Sequence, residues 1–218
     1  FKIPAAWQQA VIIMAVISSL IAAAGAVVEN DIKRILAYST ISQIGYIFLG
    51  LSVANPTAVS GSLLYILMHG LAKAGLFLCA GIVIHSTNKR DIREMGGLIR
   101  TMPMTAISFL ICAFSVIGLP PLGGFFSKLL VIMGAIKANQ IWVAALALFT
   151  AILTMYYLMR VFSLVFLGEL KVSAPEKTPS MVGVVTVLAL FSVLAGFFVS
   201  YPMKLVQLAT THITWWLR

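Results

Sequence analysis

The stretch Thr57–His85, TAVSGSLLYILMHGLAKAGLFLCAGIVIH, constrains this chain more than any other. It is apolar apart from a lysine near its centre, Lys73, with His69 four residues earlier and Tyr65 four before that. As a helix it spans roughly 40 Å at the α-helical rise, more than the ~30 Å hydrocarbon core of a bilayer. Lys73 is then too deep for its stem to reach either headgroup layer. A lysine at that depth costs about 2.5–3.5 kcal/mol even on a lenient insertion scale. Such a cost implies a wet interior path or a buried partner. Tyr65, His69 and Lys73 share one helix face at this spacing. Together they are groups that can pass, hold and release a proton.

Composition agrees with a membrane chain. Of 218 residues, 61% are hydrophobic and 10% charged, which no soluble globular domain matches. The formal net charge is +9. The basic residues fall in loops between apolar runs, so topology explains them and nucleic acid is not an expected partner. Cys79 and Cys112 sit in apolar segments without metal-site spacing and read as small core residues. No phosphate loop, dinucleotide fingerprint, zinc spacing or nucleophile elbow occurs, so no cofactor, no metal and no catalytic residue is expected. Lys2 and Pro4 lead into a long span with no cleavage site, so the start does not read as a signal peptide. It reads as part of a longer polypeptide.

The fold class expected is an all-α polytopic membrane protein with about six crossings. The spans are about 9–28, 32–53, 57–85, 102–139 and 141–167, with a last span at 181–200. Asp31 is the expected N-cap of the second helix. The run 102–139 is punctuated by Gly118-Leu119-Pro120-Pro121-Leu122-Gly123-Gly124, whose prolines block a continuous helix. It could cross as a hairpin or as one interrupted helix. The interrupted helix is favoured, because irregular backbone at depth is tolerated where it lines a wet cavity. With six crossings, Lys33, Arg34, Lys89, Arg90, Arg93, Arg100, Lys171 and Lys177 share one side. Lys2, Lys137, Lys204 and Arg218 take the other. The more basic side is the expected cytoplasmic side. The hairpin would move Lys171 and Lys177 across. Residues 168–218 add a polar loop, one helix and a tail with an interfacial anchor at His212, Trp215 and Trp216.

Several further residues are candidates. Lys128 lies just past the break, at the end of a water channel or with its head snorkelling to the interface. Lys33 starts a helix near the interface. Arg160, near the end of its span, reads as an interfacial anchor. His85 ends the Lys73 helix. Tyr38, Ser39, Thr40, Ser42, Gln43 and Tyr46 place hydroxyls and amides on one apolar helix, either ordering waters or bonding helix to helix. The six acids all fall in loops or at helix ends, so Lys73 has no carboxylate mate within the chain's own spans.

The run Asp31-Ile32-Lys33-Arg34-Ile35-Leu36-Ala37-Tyr38-Ser39-Thr40-Ile41-Ser42-Gln43-Ile44-Gly45-Tyr46 resembles the signature of antiporter-like membrane subunits. These belong to respiratory complex I, membrane-bound hydrogenases and multi-subunit Na+/H+ antiporters. His69 through Phe77 resembles the family's central-lysine helix. Met95-Gly96-Gly97-Leu98 and Gly118 through Lys128 resemble its next loop and broken helix. The family fold has about fourteen helices with two inverted five-helix repeats. By resemblance, residues 1–167 form the second repeat, 168–218 add one helix, and the first repeat with its glutamate–lysine pair is missing. The resemblance implies proton translocation by a non-redox subunit of a redox-driven pump in an energy-converting membrane. Lys73 is then the central relay with His69 beside it, Lys128 the outward terminal lysine and Lys33 a cytoplasmic connector. Tyr65, His85, Tyr38 and Ser42 are further path candidates. Tyr65 stands where some members have a second histidine, and Leu129 where some have an acid. A Na+/H+ antiporter subunit and a purely structural membrane subunit are the alternatives. Expected partners are other membrane subunits, lipids, and protons, with Na+ as the alternative ion.

Overall fold

Local capping chemistry sets several of the helix ends. The computed structural model describes residues 5–213. Helix α1 covers Ala5–Val28, α2 Ile32–Ser52, α3 Pro56–Thr87, α4 Pro103–Ile117, α5 Gly123–Lys137, α6 Ile141–Phe166, α7 Pro179–Phe197 and α8 Ser200–Ile213. Asp31 caps α2, accepting from the backbone N–H of Lys33 and Arg34 at 2.8 and 3.2 Å. Asn55 caps α3 in the same way, with Pro56 in the first turn where its missing N–H costs nothing. Asn88 ends α3 in the left-handed region, φ 55°. Gly118 ends α4 there too, at φ 91°, a conformation glycine adopts without strain.

Five helices, α1, α2, α3, α6 and α7, are long and apolar enough to cross a membrane. At 15 residues each, α4 and α5 reach only about 22 Å apiece, so neither crosses alone. The loop ends decide how they combine. The Leu167 carbonyl accepts from the Gly97 N–H at 2.8 Å, and Lys171 Nζ donates to the Arg93 carbonyl at 2.9 Å. The loop before α4 and the loop after α6 therefore lie at one end. Since α6 crosses once, α4 and α5 make one interrupted crossing between them. A hairpin would have put these loops on opposite sides. The corner between α1 and α2 joins the same end, where Ile32 N–H donates to the Arg90 carbonyl and Ile92 N–H to the Asn30 carbonyl, at 3.1 and 3.0 Å.

The chain after Phe197 departs from expectation. The last span stops there, and a separate helix α8 follows, with Pro202 in its first turn. Proline lacks the N–H that would carry α7 onward. On α8, Val206 packs inward and Thr210 pairs with Ser60 of α3 at 3.0 Å. Lys2, Trp215, Trp216, Arg218 and the side chain of His212 lie outside the described residues.

The core divides into two apolar clusters. One, toward the polar loops, includes Ile35, Leu36, Leu76, Val83, Phe109, Val161 and Phe166. The other, at the far end, includes Tyr46, Leu49, Ala58, Leu64, Val131 and Val143. Between them the helices carry buried polar residues: Ser19 on α1, Ser39, Ser42 and Gln43 on α2, His69 on α3, Thr150 and Thr154 on α6. The α4–α5 break falls in the same layer. Close helix approach is set by glycine: a Cβ on Gly124 would overlap the Ser115 carbonyl, and one on Gly196 of α7 would overlap Pro121 and Leu122 of the break.

Candidate functional site

A helix that ends inside the protein leaves carbonyls without intrahelical partners. At the end of α4, the Phe114 carbonyl accepts from Gly118 and Leu119 N–H at 2.9 and 3.0 Å. The next orphans recruit side chains from other helices. Val116 accepts from the Tyr65 hydroxyl at 3.1 Å. Ile117 accepts from Lys128 Nζ at 3.3 Å. A helix C-terminus carries about half a negative charge, so an ammonium is favoured there. Two aromatic faces add to this, with Lys128 Nζ 5.1 Å from the Tyr46 ring centroid and 5.3 Å from that of Tyr65. The Tyr46 hydroxyl donates to the Lys128 carbonyl at 3.2 Å. Lys128 is 5% exposed, so its head does not snorkel to an interface.

On α3 the expected face forms. Tyr65 and His69 have ring centroids 5.6 Å apart. His69 is 7% exposed, and neither ring nitrogen has a hydrogen-bond partner among the described residues. Lys73 is 6% exposed, and its Nζ donates to the Leu36 carbonyl at 3.1 Å. That carbonyl also accepts from the Thr40 hydroxyl at 2.9 Å. The lysine thus borrows a main-chain oxygen of α2. Among the described residues, the ion pairs are Arg34–Glu29, Lys89–Glu94 and Arg93–Asp91, all near the polar loops and none at Lys73 or Lys128. Lys73, His69 and Lys128 lie within electrostatic reach of one another.

A hydrogen-bonded row joins α3 to α6 through α2. The Tyr65 hydroxyl donates to Gln43 Oε1 at 2.6 Å, and Gln43 Nε2 donates to Thr154 Oγ1 at 2.9 Å. Thr154 donates to the Thr150 carbonyl at 2.7 Å. Tyr157 donates to Ser39 Oγ at 2.8 Å. For Ser39 and Gln43, the sequence alternatives of ordered water and helix–helix bonding resolve toward helix–helix bonds. Sequence reasoning missed the α6 members. The signal was there: Thr150 and Thr154 stand four apart on an otherwise apolar helix, and Tyr157 one turn further on.

The remaining candidates separate. Ser42 is buried beside the row, its hydroxyl without a partner among the described residues. Lys33, Tyr38 and His85 are exposed on the surface of the chain. Arg160, expected as an interfacial anchor, is also bonded within the chain. It is half-buried, and its guanidinium donates to the Val27 and Glu29 carbonyls and to Asn30 Oδ1 at 2.9, 2.8 and 2.6 Å. It ties α6 to the end of α1, where a cation suits the helix dipole. In the loops, the backbone N–H groups of Asn30 and Asp31 hold the Glu29 carboxyl below its ordinary range. The Arg93 guanidinium lowers Asp91 to about 2. The Glu176 carboxylate accepts from the N–H and hydroxyl of Thr105, both at 2.9 Å, and caps the start of α4 from the loop after α6.

Comparison with known proteins shows the family and the fold. Residues 2–154 match the family described as NADH:quinone oxidoreductase/Mrp antiporter, TM. The chain is 41% identical over 161 residues to a Na(+)/H(+) antiporter subunit of Alkalihalophilus pseudofirmus, covering 74% of this chain and 33% of that protein. It is 34% identical over 204 residues to NADH-quinone oxidoreductase subunit N of Desulforamulus reducens, covering 93% and 42%. It superposes on a chain of respiratory complex I from Thermus thermophilus with a TM-score of 0.89 and 29% identity, covering 97% and 45%. The chain therefore spans less than half the length of these three proteins. The chain belongs to the NADH:quinone oxidoreductase/Mrp antiporter transmembrane family.

Proposed function

We propose that this chain translocates protons as a non-redox membrane subunit of a redox-driven ion pump, an NADH:quinone oxidoreductase or a related membrane-bound hydrogenase complex. The observation that carries this reading is the pair of buried lysines. Neither has a carboxylate among the described residues. Each rests on a main-chain carbonyl, and His69 and Tyr65 belong to the helix face that links them. Two ammonium groups in a low-dielectric interior repel one another strongly. A proton arriving at Lys73 therefore favours departure of the one on Lys128. Protons enter from the more basic side past Lys33, reach His69 and Lys73 through ordered water, and leave beyond Lys128. Residues 1–167 serve as one five-helix repeat. The helix that follows covers the break, and the missing repeat or its equivalent supplies the other half-channel. Lys73→Ala in the assembled complex should abolish pumping while partners still co-purify. Unchanged pumping would sink the reading.

The identity to an antiporter subunit supports a second reading, in which a sodium gradient replaces redox energy. Ion movement that follows sodium without any electron donor selects it. A purely structural subunit would instead lose assembly, and nothing else, when either lysine is replaced.

A further inference from the structure

Gln43 lies between α3 and α6 and is almost wholly buried. Its closest partners, the hydroxyls of Tyr65 and Thr154, and the neighbouring Tyr157 hydroxyl can all donate as well as accept. Turning the amide by half a turn about its last bond therefore loses no partner. Nε2 then donates to the Tyr65 oxygen. Oε1 accepts from Thr154, which gives up its bond to the Thr150 carbonyl. The difference falls on Tyr65. Its hydroxyl carries a single hydrogen and has two acceptors in reach, Gln43 Oε1 at 2.6 Å and the Val116 carbonyl at 3.1 Å. In one amide orientation the hydrogen goes to Gln43. In the other only Val116 can take it. Val116 and Ile117 are adjacent orphan carbonyls at the end of α4, and Ile117 holds Lys128 Nζ. A hydrogen placed on Val116 offsets part of the negative helix end on which that ammonium rests.

We propose that Gln43 is a positioning residue whose amide reversal moves the Tyr65 hydrogen on and off the Val116 carbonyl, alternating the end of α4 between favouring and disfavouring a charged Lys128. This rests on the translocation reading above. Gln43 gains and loses no proton, and Tyr65 keeps its hydrogen throughout. The proton that travels is the one on Lys128. Thr154 makes the orientation sensitive to α6, so a shift of that helix biases the charge of a lysine on α5.

Two variants test this in the assembled membrane complex, with ion translocation read in inside-out vesicles as a function of pH. Gln43→Leu cannot reverse and should translocate at least tenfold more slowly while partners still co-purify. Gln43→Glu is sharper. A protonated carboxyl offers one donor and one acceptor and stands in for the amide. An ionised one only accepts, and locks the Tyr65 hydrogen on residue 43. Translocation should be near wild type on the acid side and fall at least tenfold below the wild type measured at the same pH as pH rises. The titratable groups around residue 43 are Tyr46 on α2, Tyr65, His69 and Lys73 on α3, Lys128 on α5 and Tyr157 on α6. All are common to both proteins, so a changed profile belongs to residue 43. If Lys73→Ala pumps normally, the underlying reading fails. If Lys73→Ala is inactive while Gln43→Glu keeps the wild-type profile, this proposal is overturned. If the leucine variant does not assemble, the glutamate variant decides. Failure of both to assemble makes Gln43 a strut and overturns the proposal as well.

Discussion

Lys128 Nζ reaches back eleven positions, across the break, to the carbonyl of Ile117 at 3.3 Å. The lysine thereby caps the helix half that precedes its own. The same group is both a structural donor and the candidate proton carrier. A break in this crossing is tolerable because Lys128 satisfies one of the carbonyls that the prolines and glycines leave open and the Tyr65 hydroxyl stands within reach of a second.

Tyr65 separates ring from hydroxyl. Tyr65→Phe keeps the face toward Lys128 but removes the one hydrogen that the Gln43 and Val116 oxygens share, leaving a buried acceptor unsatisfied at a cost of about 1–3 kcal/mol. Tyr65→Leu also removes one cation–π face, worth up to about 2 kcal/mol in a desolvated site. Thermal unfolding of the purified complex should rank wild type above Phe above Leu, and the translocation rates should follow that order.

Helix approach gives a paired test. A Cβ on Gly134 of α5 would overlap the main chain of Ala58 on α3, whereas one on Gly70 of α3 meets nothing within 4 Å. Gly134→Ala should cost several kcal/mol by forcing packed helices apart. Gly70→Ala should be neutral or gain up to about 1 kcal/mol from helix propensity. Unfolding temperatures in one detergent would check both.

Arg160 holds three oxygens at the α1–α2 corner. Arg160→Met should destabilise that corner by about 3 kcal/mol, since charge-assisted bonds are lost and carbonyls are left bare. Hydrogen exchange should speed up at residues 29–32 and remain slow in the middle of α3.

The loop end should loosen in acid. The Asp91 carboxyl is lowered from 3.8 to about 2 by Arg93. A depressed carboxyl contributes stability that is present above the unfolded value and lost as pH falls through the folded one. The turn at residues 91–94 should therefore hold above pH 3.8 and weaken between there and about 2. Asp91→Asn should flatten that dependence, as read from protease cutting within the loop.

Much of this molecule is local, and so was legible residue by residue. Apolar runs of membrane length, the Asp31 cap, the proline–glycine break and the Tyr65–His69–Lys73 face follow from helix period and from which residues can donate, cap or bend. Distance along the chain hid the rest. Nothing near Lys128 in sequence says that its amine meets Ile117, because the break first has to bring the start of α5 against the end of α4. Nothing near Arg160 points to residues 27–30, more than a hundred positions earlier. Thr150 and Thr154 read as minor polar marks on an apolar helix until α2 brings Gln43 against them. The sequence by itself determined which segments are apolar and long enough to cross a membrane and where one is interrupted, since those depend on short-range sterics and solvation. Only the tertiary structure decided that the interrupted crossing is single and that the polar groups of several helices meet in one layer. That follows from packing, which places each helix's few polar residues where neighbouring helices can satisfy them, away from lipid.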